Sequence, residues 1–330
     1  MKYILPALIV FTILTGQQYT DAFLRIGAYP RSIGVGQAVC ALTRNNGGFL
    51  INPAANGFVN GTNLSAMYIN QFGLADYIAI STNHPWSKIW QVGINLVNLS
   101  VDNIPERPDL RRILDLETRR DSIRTLVARG FSIFKDRETG VFLTLTRNLS
   151  TTIDLGWQIT PFDVQIPIGL NIKLLHKELY NLVGNGMGVD IGTMLSFNLA
   201  DATGYDWIGE LTLGLSVSDV AGTLIYWNSG KYDKILPAVI SGVGYRHSFQ
   251  VIPMDIIFLT QRKSTESEFD FGMECILINL IAVRFGTNLG ARQGGLGLML
   301  PLGRRPVSID YSFTEHDLGN AHRIGGSITL

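Results

Sequence analysis

The sequence of 330 residues predicts an all-β fold, a transmembrane antiparallel β-barrel with a glycine-rich N-terminal segment held in its lumen. Three observations lead there. Apolar and polar residues alternate with a period of two through many segments of about ten residues, which gives each strand one apolar and one polar face; repeated along a chain, this is the pattern of a barrel with lipid outside and a polar lumen. Charged residues make up 16% of the chain and glycines number 35, a composition poorer in charge than the roughly 25% of soluble domains and suited to tight turns and thin walls. Beyond the N-terminus no stretch is uniformly apolar over a helical span. Strands can cross hydrocarbon only as a closed barrel, because every backbone N–H and C=O must be paired there.

Residues 1–22 read as a cleaved export signal. Lys2 precedes an apolar run from Tyr3 to Leu14, and Thr20 and Ala22 are small residues at spacing suited to cleavage, with the bond placed between Gly16 and Ala22. The apolar run is shorter than the roughly 20 residues a membrane-crossing helix needs. Residues 23–61 do not alternate, carry Gly27, Gly34, Gly36, Gly47, Gly48, Gly57 and Gly61, and are expected to form a hatch inside the barrel. Within them a short helix is expected at 34–42, and Asn45-Asn46-Gly47-Gly48 signals a turn.

Residues 62–330 are expected to form the barrel wall. Strand segments read at 62–72, 75–83, 89–101, 140–150, 152–160, 163–177, 186–199, 208–219, 235–248, 252–262, 268–278, 280–288, 294–301, 305–316 and 320–330. The alternation is plainest where Val164, Ile166, Ile168, Leu170, Ile172 and Leu174 interleave with Gln165, Asn171 and Lys173, and where Val307, Ile309, Tyr311 and Phe313 interleave with Ser308, Asp310, Ser312 and Thr314. Tyr77, Trp86, Trp90, Trp157, Trp207, Tyr226 and Trp227 lie near segment ends and suit interfacial aromatic girdles. Residues 102–137 are crowded with both signs of charge and read as a solvated extracellular loop, partly helical.

Catalytic and cofactor chemistry finds no support. The totals of Lys+Arg and Asp+Glu are both 27, which argues against a basic nucleic-acid surface. His84, His176, His247, His316 and His322 are scattered without metal-ligand spacing, and Cys40 and Cys275 read as two small buried residues. Gly184-Asn185-Gly186-Met187-Gly188 resembles a dinucleotide loop but has no helix after it, so it reads as a turn. No catalytic residue, metal or cofactor is expected. The remaining candidates are inward-facing polar residues, Lys173, Asp190, Glu210 and Asp310. Ionisable groups at membrane depth must face water or one another, and they are expected to tie walls or hatch together rather than to bind substrate.

Asn52-Pro53-Ala54 resembles the motif in the hatch of FadL-type outer-membrane channels for long-chain fatty acids. The preceding Arg31-Ser32-Ile33-Gly34-Val35-Gly36-Gln37-Ala38 looks like the start of the PorV/PorQ branch, with Val35 and Gln37 departing from its pattern. Asn171-Ile172-Lys173, Val189-Asp190-Ile191-Gly192, Asp310-Tyr311-Ser312-Phe313 and Asp317-Leu318-Gly319-Asn320-Ala321-His322-Arg323-Ile324 are similar to that branch in the same order. The resemblance implies an outer-membrane barrel of about 14 strands with a hatch. It also implies passage of hydrophobic, fatty-acid-like molecules through the hatch and sideways through the wall, where Pro167 or Gly169 would supply a kink. Its PorV side implies instead a shuttle of type IX secretion, with secretion-system proteins as partners. Outer-membrane lipid is the expected surrounding in either case. A secreted soluble β-protein is a further alternative, since sandwiches alternate too.

Overall fold

The computed structural model describes residues 20–154, 156, 161–205, 207–249, 251–303, 305–316 and 319–330. Most of the expected export signal (1–19), the expected girdle residue Trp157 and the motif residues 317–318 lie outside the described residues.

Alternation produces strands of 9 to 21 residues in the wall, apart from the 8-residue β13. In chain order they are β1 (Asn63–Gln71), β2 (Ala75–Pro85), β3 (Trp90–Pro105), β4 (Ile133–Ile153), β5 (Phe162–Leu179), β6 (Leu182–Asn198) and β7 (Glu210–Ser218), then a short hairpin β8 (Thr223–Trp227) and β9 (Tyr232–Ile235). They continue as β10 (Ala238–Phe249), β11 (Met254–Lys263), β12 (Phe269–Leu277), β13 (Ile281–Asn288), β14 (Ala291–Leu302), β15 (Arg305–Thr314) and β16 (Ala321–Thr329). Each wall strand pairs antiparallel with its neighbours, β7 passes to β10, and β1 pairs with β16 from Asn63↔Thr329 to Ile69↔Arg323. Sixteen strands less the β8–β9 hairpin leave a closed barrel of 14. Closure leaves no edge in the wall ring.

The barrel has two unlike ends. One carries the link 106–132, with helix α2 (Leu116–Arg129), and the β8–β9 hairpin; the other carries the start of β1 and the finish of β16. Asp115 starts α2 by accepting the Thr118 N–H at 2.8 Å, and Gly130, at φ +80°, ends it. The outer face is a belt of exposed apolar side chains such as Ile94 (61%), Phe285 (56%) and Ile324 (57%).

Several expectations are corrected by the pairing. Segments 140–150 and 152–160 are not separated by a turn at 151: Ser150↔Gln165 and Thr152↔Asp163 continue one ladder, so β4 runs unbroken past 150 and ends at Ile153. Positions 102–105 and 133–137 belong to β3 and β4, which narrows the charged link. Gly184 to Gly188 lie inside β6; the turn is at 180–181, where Tyr180 takes φ +54°. These glycines make room for the unforeseen hairpin, since a side chain at Gly186 would meet Ile225 at 2.9 Å. The hatch helix α1 is Pro30–Gly34 and not 34–42. It stops where Gly36 takes φ +70° with the wall so close that a Cβ would lie 2.7 Å from the Thr287 backbone. Tyr77 leaves the expected girdle, being fully buried in the lumen, and Trp227 packs on the lumen cluster around Phe23.

Candidate functional site

The lumen is filled by residues 20–61. They enter at the α2 end, where Lys177 Nζ donates to the Thr20 carbonyl at 2.6 Å and to Glu138 at 2.8 Å. They leave at the other end, where Gln91 Nε2 donates to the Val59 carbonyl at 2.9 Å and Gly61 abuts the Leu330 carbonyl. Near the α2 end the inner wall is apolar: Met67, Ile69, Tyr77, Ala79, Val97, Phe142 and Leu175 close on Phe23, Ile33 and Phe49 of the hatch. Phe49 meets Phe142 edge-on, with ring centroids 5.2 Å apart. Alternation foretold which strand face turns inward, but the inward face changes from polar to apolar along the strand, against the uniformly polar lumen expected.

The predicted Asn52-Pro53-Ala54 motif lies at the centre of the hatch–wall contact. Asn52, with no exposed surface, accepts the Ala54 N–H at 3.0 Å and donates to the carbonyls of Cys40 at 2.9 Å and Thr193 at 3.1 Å. One amide side chain thus closes a local turn, joins two passes of the hatch and docks them on β6. Thr146 Oγ1 donates to the Pro53 carbonyl at 2.9 Å from β4. On β5 and β6, Gly169 and Gly192 face the motif, and a Cβ at either would collide with Pro53 or Asn52. Beside it, β5–β6 pairing lapses between Gln165↔Ser196 and Ile168↔Thr193, at Ile166 and Pro167, where proline has no N–H to give. Cys40, next to Asn52, is buried, and burial pushes its thiol up to about 12.

The four predicted lumen residues separate into three places. Lys173 bridges Asp190 and Asp219, both at 2.8 Å, and Asp219 is held in turn by Thr223. Asp310 belongs to a second buried network: it accepts from Arg284 at 2.6 Å and Tyr29 at 2.8 Å, while Glu274 accepts from Arg284 at 2.7 Å and from Arg31 at 2.6 Å and 2.9 Å. This network pins α1 to β12, β13 and β15, its two guanidiniums balanced by two carboxylates. Glu210 joins neither; it accepts from Ser196 at 2.5 Å near the end away from α2.

Sequence reasoning missed Arg31, Asp219, Glu274 and Arg284. Glu274 and Arg284 were findable, because each sits at an inward position of a short strand, whereas Asp219 lies just past β7 and Arg31 outside any alternation. A polar row also crosses the inner wall. Ser81 donates to Asn95 at 2.5 Å, Asn95 to Thr144 at 2.9 Å, and Thr144 to Asn171 at 2.7 Å; Asn171 then donates to the hatch carbonyl of Phe49 at 2.7 Å. Among the described residues no group of three or more His, Cys, Asp or Glu is placed to hold a metal ion.

No protein-family model matches the chain, and no curated protein matches it. Among solved structures, the deltaS2S3 mutant of the TodX monoaromatic hydrocarbon channel is similar at 11% identity and a TM-score of 0.45, over 92% of this chain and 98% of that one. The CymD monoaromatic hydrocarbon channel is similar at 12% identity and a TM-score of 0.34, over 92% and 96%.

Proposed function

We propose that this chain is an exported outer-membrane barrel of FadL-like type that passes hydrophobic small molecules, fatty-acid-like in chemistry, across the membrane by moving its hatch. The observation that carries the reading is the apolar layer inside the lumen at the α2 end. A channel for ions or sugars gains nothing from Met67, Tyr77, Phe142 and Leu175 pointing inward; a channel for apolar solutes gains a first resting place out of water. In this reading α2 and the charged link face the cell exterior, and lipid covers the apolar outer belt. Asn52, Pro53 and Ala54 hold the hatch at the proline-interrupted β5–β6 seam, which supports a sideways exit there. Lys173, Asp190 and Asp310 act as ties, not as ligand-binding groups.

The test is uptake of a labelled long-chain fatty acid and a labelled monoaromatic compound by cells with and without the gene. Loss of uptake on deletion, restored by the wild-type chain but not by Phe142→Asp, is the expected result. If uptake is unchanged and proteins bearing a C-terminal secretion signal accumulate in the periplasm instead, the type IX shuttle role replaces this reading. Recovery of the chain in the aqueous periplasmic fraction, without heat-modifiable migration, would remove the membrane placement altogether.

A further inference from the structure

We propose that the lumen end remote from α2 holds a binding bay for a disaccharide-sized sugar, separate from the apolar layer and independent of the transport reading. The bay encloses about 630 Å³ between the hatch turn at Thr43–Arg44 and the wall of β5, β6, β7 and β10. That volume lies within the roughly 300–1,000 Å³ of small-molecule sites. Its walls carry Arg44, Gln165, Asn198, Trp207, Glu210 and Arg246. Glu210, one of the four lumen candidates read from the sequence, lines this bay.

The chemistry of the lining selects the class of ligand. Guanidiniums donate, the carboxylates of Asp163, Asp201 and Glu210 accept, and the two amides do both, so adjacent hydroxyl groups that donate and accept together are matched at several points. An apolar solute finds little to cover in such a lining, and a simple anion or cation meets both signs: Arg44 and Arg246 stand with Glu210, and Arg246 is already paired with Asp255. Trp207 supplies the remaining part. It lines the bay and is 70% exposed as a residue, and the electron-rich face of an indole suits the C–H face of a pyranose ring, whose hydrogens carry partial positive charge. Two groups are held before any ligand arrives: Ser196 donates to Glu210 at 2.5 Å, and Asp255 pairs with the Arg246 guanidinium. Held groups bind without first losing their freedom.

The experiment uses the full chain in amine-oxide micelles, which carry no sugar headgroup, with maltose and N,N′-diacetylchitobiose as probes and glycylglycine as a zwitterionic control. Binding is read by calorimetry and by saturation-transfer NMR. At least one disaccharide is expected to bind saturably below about 10 mM. Trp207→Ala should weaken it about tenfold or more, Trp207→Phe should recover part of the loss, and Glu210→Gln should weaken it about fivefold. Both Trp207→Phe and Glu210→Gln keep the size of the side chain close to native, so they report even if Trp207→Ala fails to show the wild-type heat-modifiable migration. Absence of saturable binding by either disaccharide, equal binding by all variants, or tighter binding of glycylglycine than of both sugars overturns the proposal.

Discussion

At the scale of single residues, Asn52 and Glu274 hold the hatch by different physics. Asn52 donates to two buried carbonyls and accepts one N–H. Asn52→Ala strands those partners, and an unsatisfied buried group costs about 1–3 kcal/mol. Amide hydrogen exchange should therefore quicken in the hatch around Cys40 and Ala54 while the wall strands stay protected. Gly192→Ala should give the same pattern from the other side, since its new methyl would collide with the Asn52 amide. Glu274 is fully buried between Arg31 and Arg284. Glu274→Gln leaves two guanidiniums with one carboxylate, and removing one member of a buried ionic set typically costs about 3–5 kcal/mol. The temperature at which the folded band converts on an unboiled gel should fall more than for Asn52→Ala. An equal fall would show that the network adds no more than one amide does. Asn52 was legible as part of a motif, and Asp310 from alternation. Arg31 stood in a family-like pattern, but its contact with Glu274 was not legible, because the hatch has no period to say which side chain meets the wall.

At the scale of elements, the wall strands were legible because burial is decided by a period of two that a single sequence displays. The β8–β9 hairpin was not, because its strands of 5 and 4 residues are too short to show a period and its place is set by glycines on β6. It extends the sheet where β6 outruns β7, and it carries Ile225 and Trp227 onto Phe23. Gly186→Val should push Ile225 off that cluster and expose the apolar layer to a hydrophobic dye, without loss of the barrel's strand signal in circular dichroism. Helix α2 depends on something smaller. Asp115 accepts from the Thr118 side chain and N–H, and these bonds hold its carboxyl below the usual carboxylate range. A depressed folded-state value means that the cap contributes fully above the ordinary carboxylate range and is lost as pH falls through the lower value. Amide shifts of Leu116 to Thr118 should titrate below pH 4 or so in the wild type. Asp115→Asn keeps an acceptor and should abolish that titration; a titration that survives the change would assign it to another group.

At the scale of the whole molecule, the barrel and its hatch form one core. Wall strands direct apolar groups outward along their whole length and also inward near the α2 end, so extraction of the hatch would leave Phe142, Tyr77 and Met67 facing water. If the proposed passage operates, this argues for small displacement over full expulsion, with the hatch swinging from anchors that remain in place. The close approach of Cys40 to β10 permits a direct test. A Cβ built at Gly242 lies 3.0 Å from Cys40 Cβ, somewhat inside the roughly 3.5–4.5 Å of disulfides, so a shift of less than about 1 Å accommodates a bond. Gly242→Cys, in a chain with Cys275→Ser, should therefore oxidise to a Cys40 cross-link that ties the middle of the hatch to the wall. With the hatch tied, uptake of the hydrophobic probe should fall to the level of cells lacking the chain, and a membrane-permeant reductant should restore it. The buried Cys40 of the wild type, whose thiol resists ionisation, should react with maleimide only when the hatch moves. Labelling should thus be slow alone and quicker while substrate is passing. Undiminished uptake by the oxidised, verified cross-linked protein would show that passage needs no motion of the Cys40 region, and the path would have to run entirely on the β5–β6 side of the hatch.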